Sequence, residues 1–158
     1  MSLVEHRPTG LLRAFLRAPI YLYRARLGLL LGHRFVYLAH RGRTSGLRRE
    51  AVLEVMRYDA RSPEIVVVAA WGARSDWYRN ITATPALEVR SGRDRWIEPR
   101  QRELGPDERA AAFGDYARRH PRAWRALAPR LGLDADHPET TTALAAERFP
   151  AVAFAPRH

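Results

Sequence analysis

The stretch HRGRTSGLRRE concentrates hydrogen-bond donors at one tight bend. Gly42 and Gly46 bracket Arg43, Thr44 and Ser45, and glycine permits a positive φ at both ends of the bend. Successive backbone amides can then point into one concavity, which the hydroxyls and guanidinium groups extend. The bend is predicted to bind an anion such as a phosphate. A solvated polar turn is the alternative interpretation.

Arg49 lies on the strand predicted after the bend. Period-two alternation places its side chain on the same face as Ala51, Leu53 and Val55. That face is apolar with one arginine at its mouth, and Ala51 leaves room beside the guanidinium. Three or four charge-assisted hydrogen bonds of roughly 1.5 to 3 kcal/mol each could supply most of the roughly 8 kcal/mol of a micromolar complex. The sequence does not match other phosphate-binding motifs, because it lacks the lysine of a P-loop and contains no G-x-G-x-x-G. It does not match the nucleophile motif G-x-S-x-G either, because the bend has threonine at the serine position.

A second group of candidate residues lies in AAWGARSDWYRN, directly after the most hydrophobic predicted strand. Two indoles, a phenol, a carboxamide and a small glycine can line a slot for a flat ring. These residues are Trp71, Gly72, Trp77, Tyr78 and Asn80. The alternative is that Trp77 and Tyr78 are ordinary core or interface aromatics.

The composition indicates an anionic partner. The net charge is +10, and all 27 basic residues are arginine, which suits bidentate contacts to phosphate or carboxylate. A genome biased toward arginine codons explains the same count. The absence of cysteine excludes disulfides and thiolate sites and suits a reducing cytoplasm. No two of the six histidines are three or four residues apart, so no metal is expected.

Hydrophobic periodicity predicts a mainly β chain with peripheral helices. Period-two segments separated by tight turns indicate an antiparallel sheet or barrel. The predicted strands cover residues 34–40, 47–58, 64–71, 86–91 and 94–104, with a last strand in AVAFAP. A short helix with Ser75 at its N-cap is predicted between the third and fourth strands. Helices are also expected from 106 to 119, from there to Leu131, and in PETTTALAAERF.

Residues 10–31 show the 3.6-residue periodicity of a basic amphipathic helix, which Pro19 interrupts. Such a helix can lie on a membrane surface, cover one end of a barrel or form a dimer seam. Neither a signal peptide nor an apolar run of roughly 18 residues is recognisable. A single domain over residues 1–158 is expected, with residues 1–32 as a helical segment and 33–158 as the barrel.

Together these stretches resemble the deazaflavin-dependent nitroreductase family of actinobacteria, whose members bind coenzyme F420. The resemblance runs from RAPIYLYRARLGLLLG through GRTSG, VLEV, VVVAAWG, SDWYRN and ATP to FPAVAFAPR. It implies an antiparallel split β-barrel of the flavin-reductase type, with an N-terminal amphipathic helix and peripheral helices. It also implies hydride transfer between C5 of the coenzyme and an electron-poor acceptor such as a quinone, an enone or a nitroaromatic.

The resemblance assigns the coenzyme's phosphate and acidic tail to the bend and its ring to the second group of residues. The bend residues are Arg43, Thr44, Ser45, Gly46 and Arg49. The residues flanking the ring and tail are Ala70, Trp71, Gly72, Trp77 and Asn80. No catalytic base is required, because the coenzyme supplies the chemistry.

This sequence departs from the family pattern on the substrate side. Where the best-known nitroreductase has tyrosines, this chain offers Tyr116, His120 and Trp124, so nitro-prodrug reduction is not assumed. Thr44 replaces a lysine often found in the glycine bend, and this removes one charge.

Two other functions remain open at this stage. One is a split-barrel protein that binds FMN or haem. The other is a basic nucleic-acid-binding module, which the scattered arginines and the lack of a recognised motif disfavour. The expected protein is cytoplasmic, with possible contact to the inner membrane face through residues 10–31. A small-molecule acceptor is its expected partner, a homodimer is possible, and no nucleic acid is expected.

Overall fold

The computed structural model describes Arg24 and residues 28–157. Within them, seven strands form one curled sheet in which all neighbouring strands are antiparallel. The strands are β1 (Phe35–Arg41), β2 (Arg48–Asp59), β3 (Glu64–Val68), β4 (Glu88–Ser91), β5 (Asp94–Ile97), β6 (Arg100–Glu103) and β7 (Ala151–Ala155). Their order across the sheet is β5-β4-β1-β2-β3-β7-β6. The predicted antiparallel arrangement is confirmed.

The sheet curls because β2 belongs to both of its halves. Its first part pairs with β1, from Arg41↔Arg48 to Phe35↔Glu54. Its second part pairs with β3, and the register shifts between Val55 and Arg57. A bulge adds a residue to one strand and increases its bend and twist, so β2 can turn from one half of the barrel into the other.

The single strand predicted over residues 94–104 is wrong. Glu98 has a φ of 46°, and Pro99 follows it with no amide hydrogen to donate. The chain therefore divides into β5 and β6, which lie at opposite edges of the sheet.

The side chain of Gln101 connects β6 to the chain between β3 and β4. Its Nε2 donates to the carbonyl of Ile81 and its Oε1 accepts from the amide of Ala86, both at 2.8 Å.

Helices cover one face of the sheet and fill its opening. They are α1 (Asp76–Ala83), α2 (Pro106–Arg119), α3 (Pro121–Leu127) and α4 (Pro138–Arg148), with short 3-10 turns at Gly28–Leu31, Gly72–Arg74 and Ala128–Leu131. Side chains from α2, α3 and α4 pack with the outer face of β3 and β7 in one core. Trp77 and Ile81 of α1 enter the second core, inside the barrel.

Most of the predicted amphipathic helix lies outside the described residues. Of its span 10–31, the structure describes only Arg24 and the turn Gly28–Leu31. Among the described residues, no helix has the length and apolarity needed to cross a bilayer.

Candidate functional site

The donor-rich bend closes the β1–β2 hairpin and is fixed by its own backbone. The amide of Gly42 donates to the carbonyl of Leu47, and the amide of Gly46 donates to the carbonyl of Gly42, both at 2.8 Å. The amide of Leu47 donates to Ser45 Oγ at 3.3 Å. Only Gly46 has the positive φ predicted for both glycines, at 70°.

Gly42 instead leaves space for two neighbouring side chains. A Cβ at this position would lie 2.6 Å from Ser45 Oγ and 3.7 Å from Arg49 Cγ. Its absence allows the Ser45 hydroxyl and the stem of Arg49 to approach the same backbone segment. The glycine therefore helps to bring two donors together, as an anion site requires.

Several donors of the bend have no acceptor within the described part of the chain. The amides of Thr44 and Ser45 form no hydrogen bond there, and Arg49 forms no ion pair there. All three residues are exposed. Two amides, two hydroxyls and one guanidinium are thus available to an anion, and this set fits a phosphate.

Arg48 and Arg49 point to opposite faces of β2, as the alternation predicts. Arg48 donates to Glu88 on the outer face at 2.8 Å, where Arg90 and Arg95 donate to the same carboxylate at 2.5 and 2.7 Å. Glu88 is only 3% exposed. Burial alone would raise the pKa of Glu88, but the hydrogen bonds from Arg90, Arg95 and Arg48 outweigh it and lower the pKa to about 2.

Helix α1 holds the bend from the inner side. Asn80 Oδ1 accepts from the backbone amide of Arg43 at 3.1 Å and from its Nη1 at 2.9 Å. Asp76 Oδ1 accepts from Arg43 Nη2 at 3.1 Å. These contacts use two of the five guanidinium N–H groups, so Arg43 anchors the bend and keeps donors for a ligand.

His40 is part of the same network. It pairs with Arg49 across the hairpin, is 4% exposed, and its Nδ1 lies 3.1 Å from Asn80 Nδ2. Burial lowers the pKa of His40 to about 4, with a further lowering by Arg49 and a smaller raising by Asp76. The imidazole is therefore neutral at pH 7.

The sequence interpretation missed His40 and Asp76. Asp76 and Asn80 are four residues apart, so they share one face of α1, and this spacing was a usable signal. His40 had no local signal, because its partner Asn80 is 40 residues away in the chain.

The structure places the residues predicted to line a ring slot in different environments. Trp77 is 7% exposed and packs in the barrel core, whereas Trp71 and Gly72 are half-buried. Ala70 packs against the helical core instead. Tyr78 donates to Glu103 of β6 at 2.5 Å, and burial followed by this bond raises its pKa to about 12.

Ser75 occupies the N-cap position of α1, as predicted, but its hydroxyl makes no capping hydrogen bond.

The predicted substrate-side residues lie away from the bend. The Tyr116 hydroxyl donates to Glu54 at 2.6 Å, and the exposed His120 ring lies 5.3 Å from the Tyr116 ring. Trp124 is buried in the helical core. Glu54 is five residues along β2 from Arg49, which is roughly 17 Å at 3.4 Å per residue. The structure does not bring these residues into contact with the bend.

An open cleft of about 460 Å³ lies elsewhere on the surface. Its lining residues are Glu64, Pro85, Pro99, Arg100, Gln101, Arg102, Ala153, Ala155 and Arg157. None of the residues predicted for the coenzyme or the substrate contributes to it.

Comparison with known proteins identifies relatives of this chain. Residues 16–127 match the model of a family described as F420H(2)-dependent quinone reductase. A solved F420-H2 dependent reductase, FDR-A, is 20% identical, with a TM-score of 0.51 over 78% of this chain and 95% of that one. A structure described as a domain-swapped dimer is 19% identical, with a TM-score of 0.51 over 87% and 99% of the two chains.

A third solved structure is Atu2129 from Agrobacterium tumefaciens str. C58, a protein of unknown function. It is 16% identical, with a TM-score of 0.50 over 87% of this chain and 55% of that one. No curated protein sequence matches. The structural likeness confirms the predicted split-barrel fold.

Proposed function

The chain belongs to the F420H(2)-dependent quinone reductase family, and from this premise we propose that the β1–β2 bend binds the anionic part of its coenzyme. Membership makes the protein an F420-dependent oxidoreductase. The coenzyme, when bound, supplies the hydride, and the residues of the bend supply position and charge.

The single observation that supports this location is the set of unpaired donors at the bend. The amides and hydroxyls of Thr44 and Ser45 and the guanidinium of Arg49 lack acceptors within the described chain and lie on one short segment. Gly46 gives the segment its turn, and Arg43 fixes it to α1. We assign these five residues to the phosphate and acidic tail.

The ring is proposed to lie near the end of β3, where half-buried Trp71 and Gly72 follow Ala70. Ala51 lies on the inner face two residues from Arg49 and packs against the barrel core, and we assign its small side chain to the coenzyme site as well. Trp77, Tyr78 and Asn80 support this region from α1: Trp77 packs in the core, and the other two form hydrogen bonds.

The acceptor is proposed to be a quinone, an enone or a nitroaromatic, with Tyr116, His120 and Trp124 on the substrate side. The rates at which the protein and the reduced coenzyme reduce a quinone, an enone and a nitroaromatic would rank these three classes of acceptor. Rates unchanged in a Tyr116→Phe variant would remove that residue from the substrate side.

Arg49→Gln tests the coenzyme site. We expect the dissociation constant of F420, followed by its absorbance and fluorescence, to rise about tenfold, because one charge-assisted hydrogen bond is lost. Arg61→Gln removes the same charge from the exposed β2–β3 turn and serves as the matched control. Equal weakening in both variants would show that only net charge matters, and no spectral response at high micromolar protein would reject coenzyme binding.

We further propose a single cytoplasmic domain, a homodimer and contact with a membrane surface. The exposed side chains of Leu29 and Leu30, in the turn that ends the predicted amphipathic span 10–31, support a contact with an apolar surface. The neighbour described as a domain-swapped dimer supports the homodimer. Sedimentation velocity and co-sedimentation with anionic vesicles measure these two properties.

A further inference from the structure

Asn80 connects a buried histidine to the coenzyme bend. Asn80 is 5% exposed, and its carboxamide contacts Arg43 on one side and His40 on the other. Both groups of Arg43 that reach it, the backbone amide and Nη1, are donors. The oxygen of the carboxamide must therefore face Arg43, and its NH₂ group must face His40.

This orientation requires His40 to accept a hydrogen bond. An imidazole accepts only at an unprotonated nitrogen, so Nδ1 is bare and the ring hydrogen is on Nε2. A doubly protonated His40 would place N–H opposite the NH₂ of Asn80. The carboxamide would then have to rotate, and both hydrogen bonds to Arg43 would be lost.

We propose that His40 is a positioning residue of the coenzyme site, whose neutral imidazole holds the Asn80 carboxamide with its oxygen toward Arg43 and so fixes the bend. The effect on the coenzyme rests on the proposed function. The effect on the bend does not.

The charged groups around His40 favour this neutral state. Burial and Arg49, its partner on β2, both lower its pKa, to about 4, and Asp76 on α1 opposes them. Arg43 is the remaining charged group of the network. The acceptor is consequently present above about pH 4 and is lost as the pH falls through that value.

Two variants separate the hydrogen bond from the packing of the ring. His40→Asn places an acceptor oxygen on Cγ, as Nδ1 is in the wild type, and cannot titrate, whereas His40→Leu fills similar space without an acceptor. Two properties are measured in the full chain: hydrogen exchange of the Arg43 amide, which donates to Asn80, and the dissociation constant of F420.

We expect His40→Leu to raise the dissociation constant about fivefold, the equivalent of one neutral hydrogen bond, and His40→Asn to restore it. Protection of the Arg43 amide should follow the same order. In the wild type this protection should fall between pH 5 and pH 4, and in His40→Asn it should be insensitive to this change. Nitrogen-15 NMR of the wild type at pH 7 should show a bare Nδ1 and a protonated Nε2.

A protonated Nδ1 at pH 7, or equal Arg43 protection in the Leu and Asn variants, would overturn the proposal. If His40→Leu does not fold, the pH dependence of the wild type against His40→Asn decides the question alone. Failure of every form to bind F420 would reject the proposed function, while the exchange and NMR results would still test the role of His40.

Discussion

Replacing Glu88 with glutamine removes a buried carboxylate to which three arginines donate. Arg48, Arg90 and Arg95 come from three different strands and converge on this one side chain. Glutamine has nearly the same shape but no charge, so the change isolates the electrostatic contribution of the cluster.

The magnitude follows from the pKa of Glu88, which lies at about 2 against an ordinary 4.5. A difference of about 2.5 units corresponds to about 3 kcal/mol of stability at 1.36 kcal/mol per unit. Because the folded-state pKa is depressed, this contribution is present above pH 4.5 and is lost as the pH falls toward 2. The arginine side chains are 31% to 62% exposed and can rehydrate, so the cost stays well below the sum of three buried ion pairs.

Urea unfolding at two pH values measures the effect. We expect Glu88→Gln to lower the free energy of unfolding by about 3 kcal/mol at pH 7 and by about half as much at pH 3. Glu147→Gln, at an exposed position of α4, is the control for loss of one negative charge. A difference from the control below about 0.5 kcal/mol, or one that does not change with pH, would refute the reasoning.

Two further substitutions test the packing of the barrel. Gly92→Ala should lower the melting temperature more than Gly46→Ala. Both positions have a positive φ, but only at Gly92 would the new Cβ lie 2.8 Å from a ring, that of His33, adding about 1 to 3 kcal/mol of strain. Equal melting temperatures would contradict this. Gln101→Ala should cost about 2 kcal/mol, because it removes the two hydrogen bonds that join β6 to Ile81 of α1 and to Ala86 before β4. Calorimetry measures the loss, and unchanged exchange of the Ala86 amide would argue against the bridge.

The local sequence determined the type and approximate position of most elements. Alternating apolar residues identified β1 and β2, and Pro106 identified the start of α2. These signals are short-range, since the period of two or 3.6 residues follows from the backbone of each segment alone. The strand predicted over 94–104 was wrong because apolar periodicity does not register the local turn at Glu98 and Pro99.

The sequence by itself also identified the bend and its donors, and the family resemblance that the comparisons confirmed. Only the tertiary structure decided which donors remain available. Arg43 and Arg49 have the same chemistry in the sequence, but α1 pairs with Arg43, while no described residue forms an ion pair with Arg49. Asn80 was predicted to contact the coenzyme, a prediction that stays open, and the tertiary structure adds that it links Arg43 to the buried His40. These contacts join residues 33 to 40 positions apart, and no local pattern encodes them, because they form only when α1 fills the opening of the curled sheet.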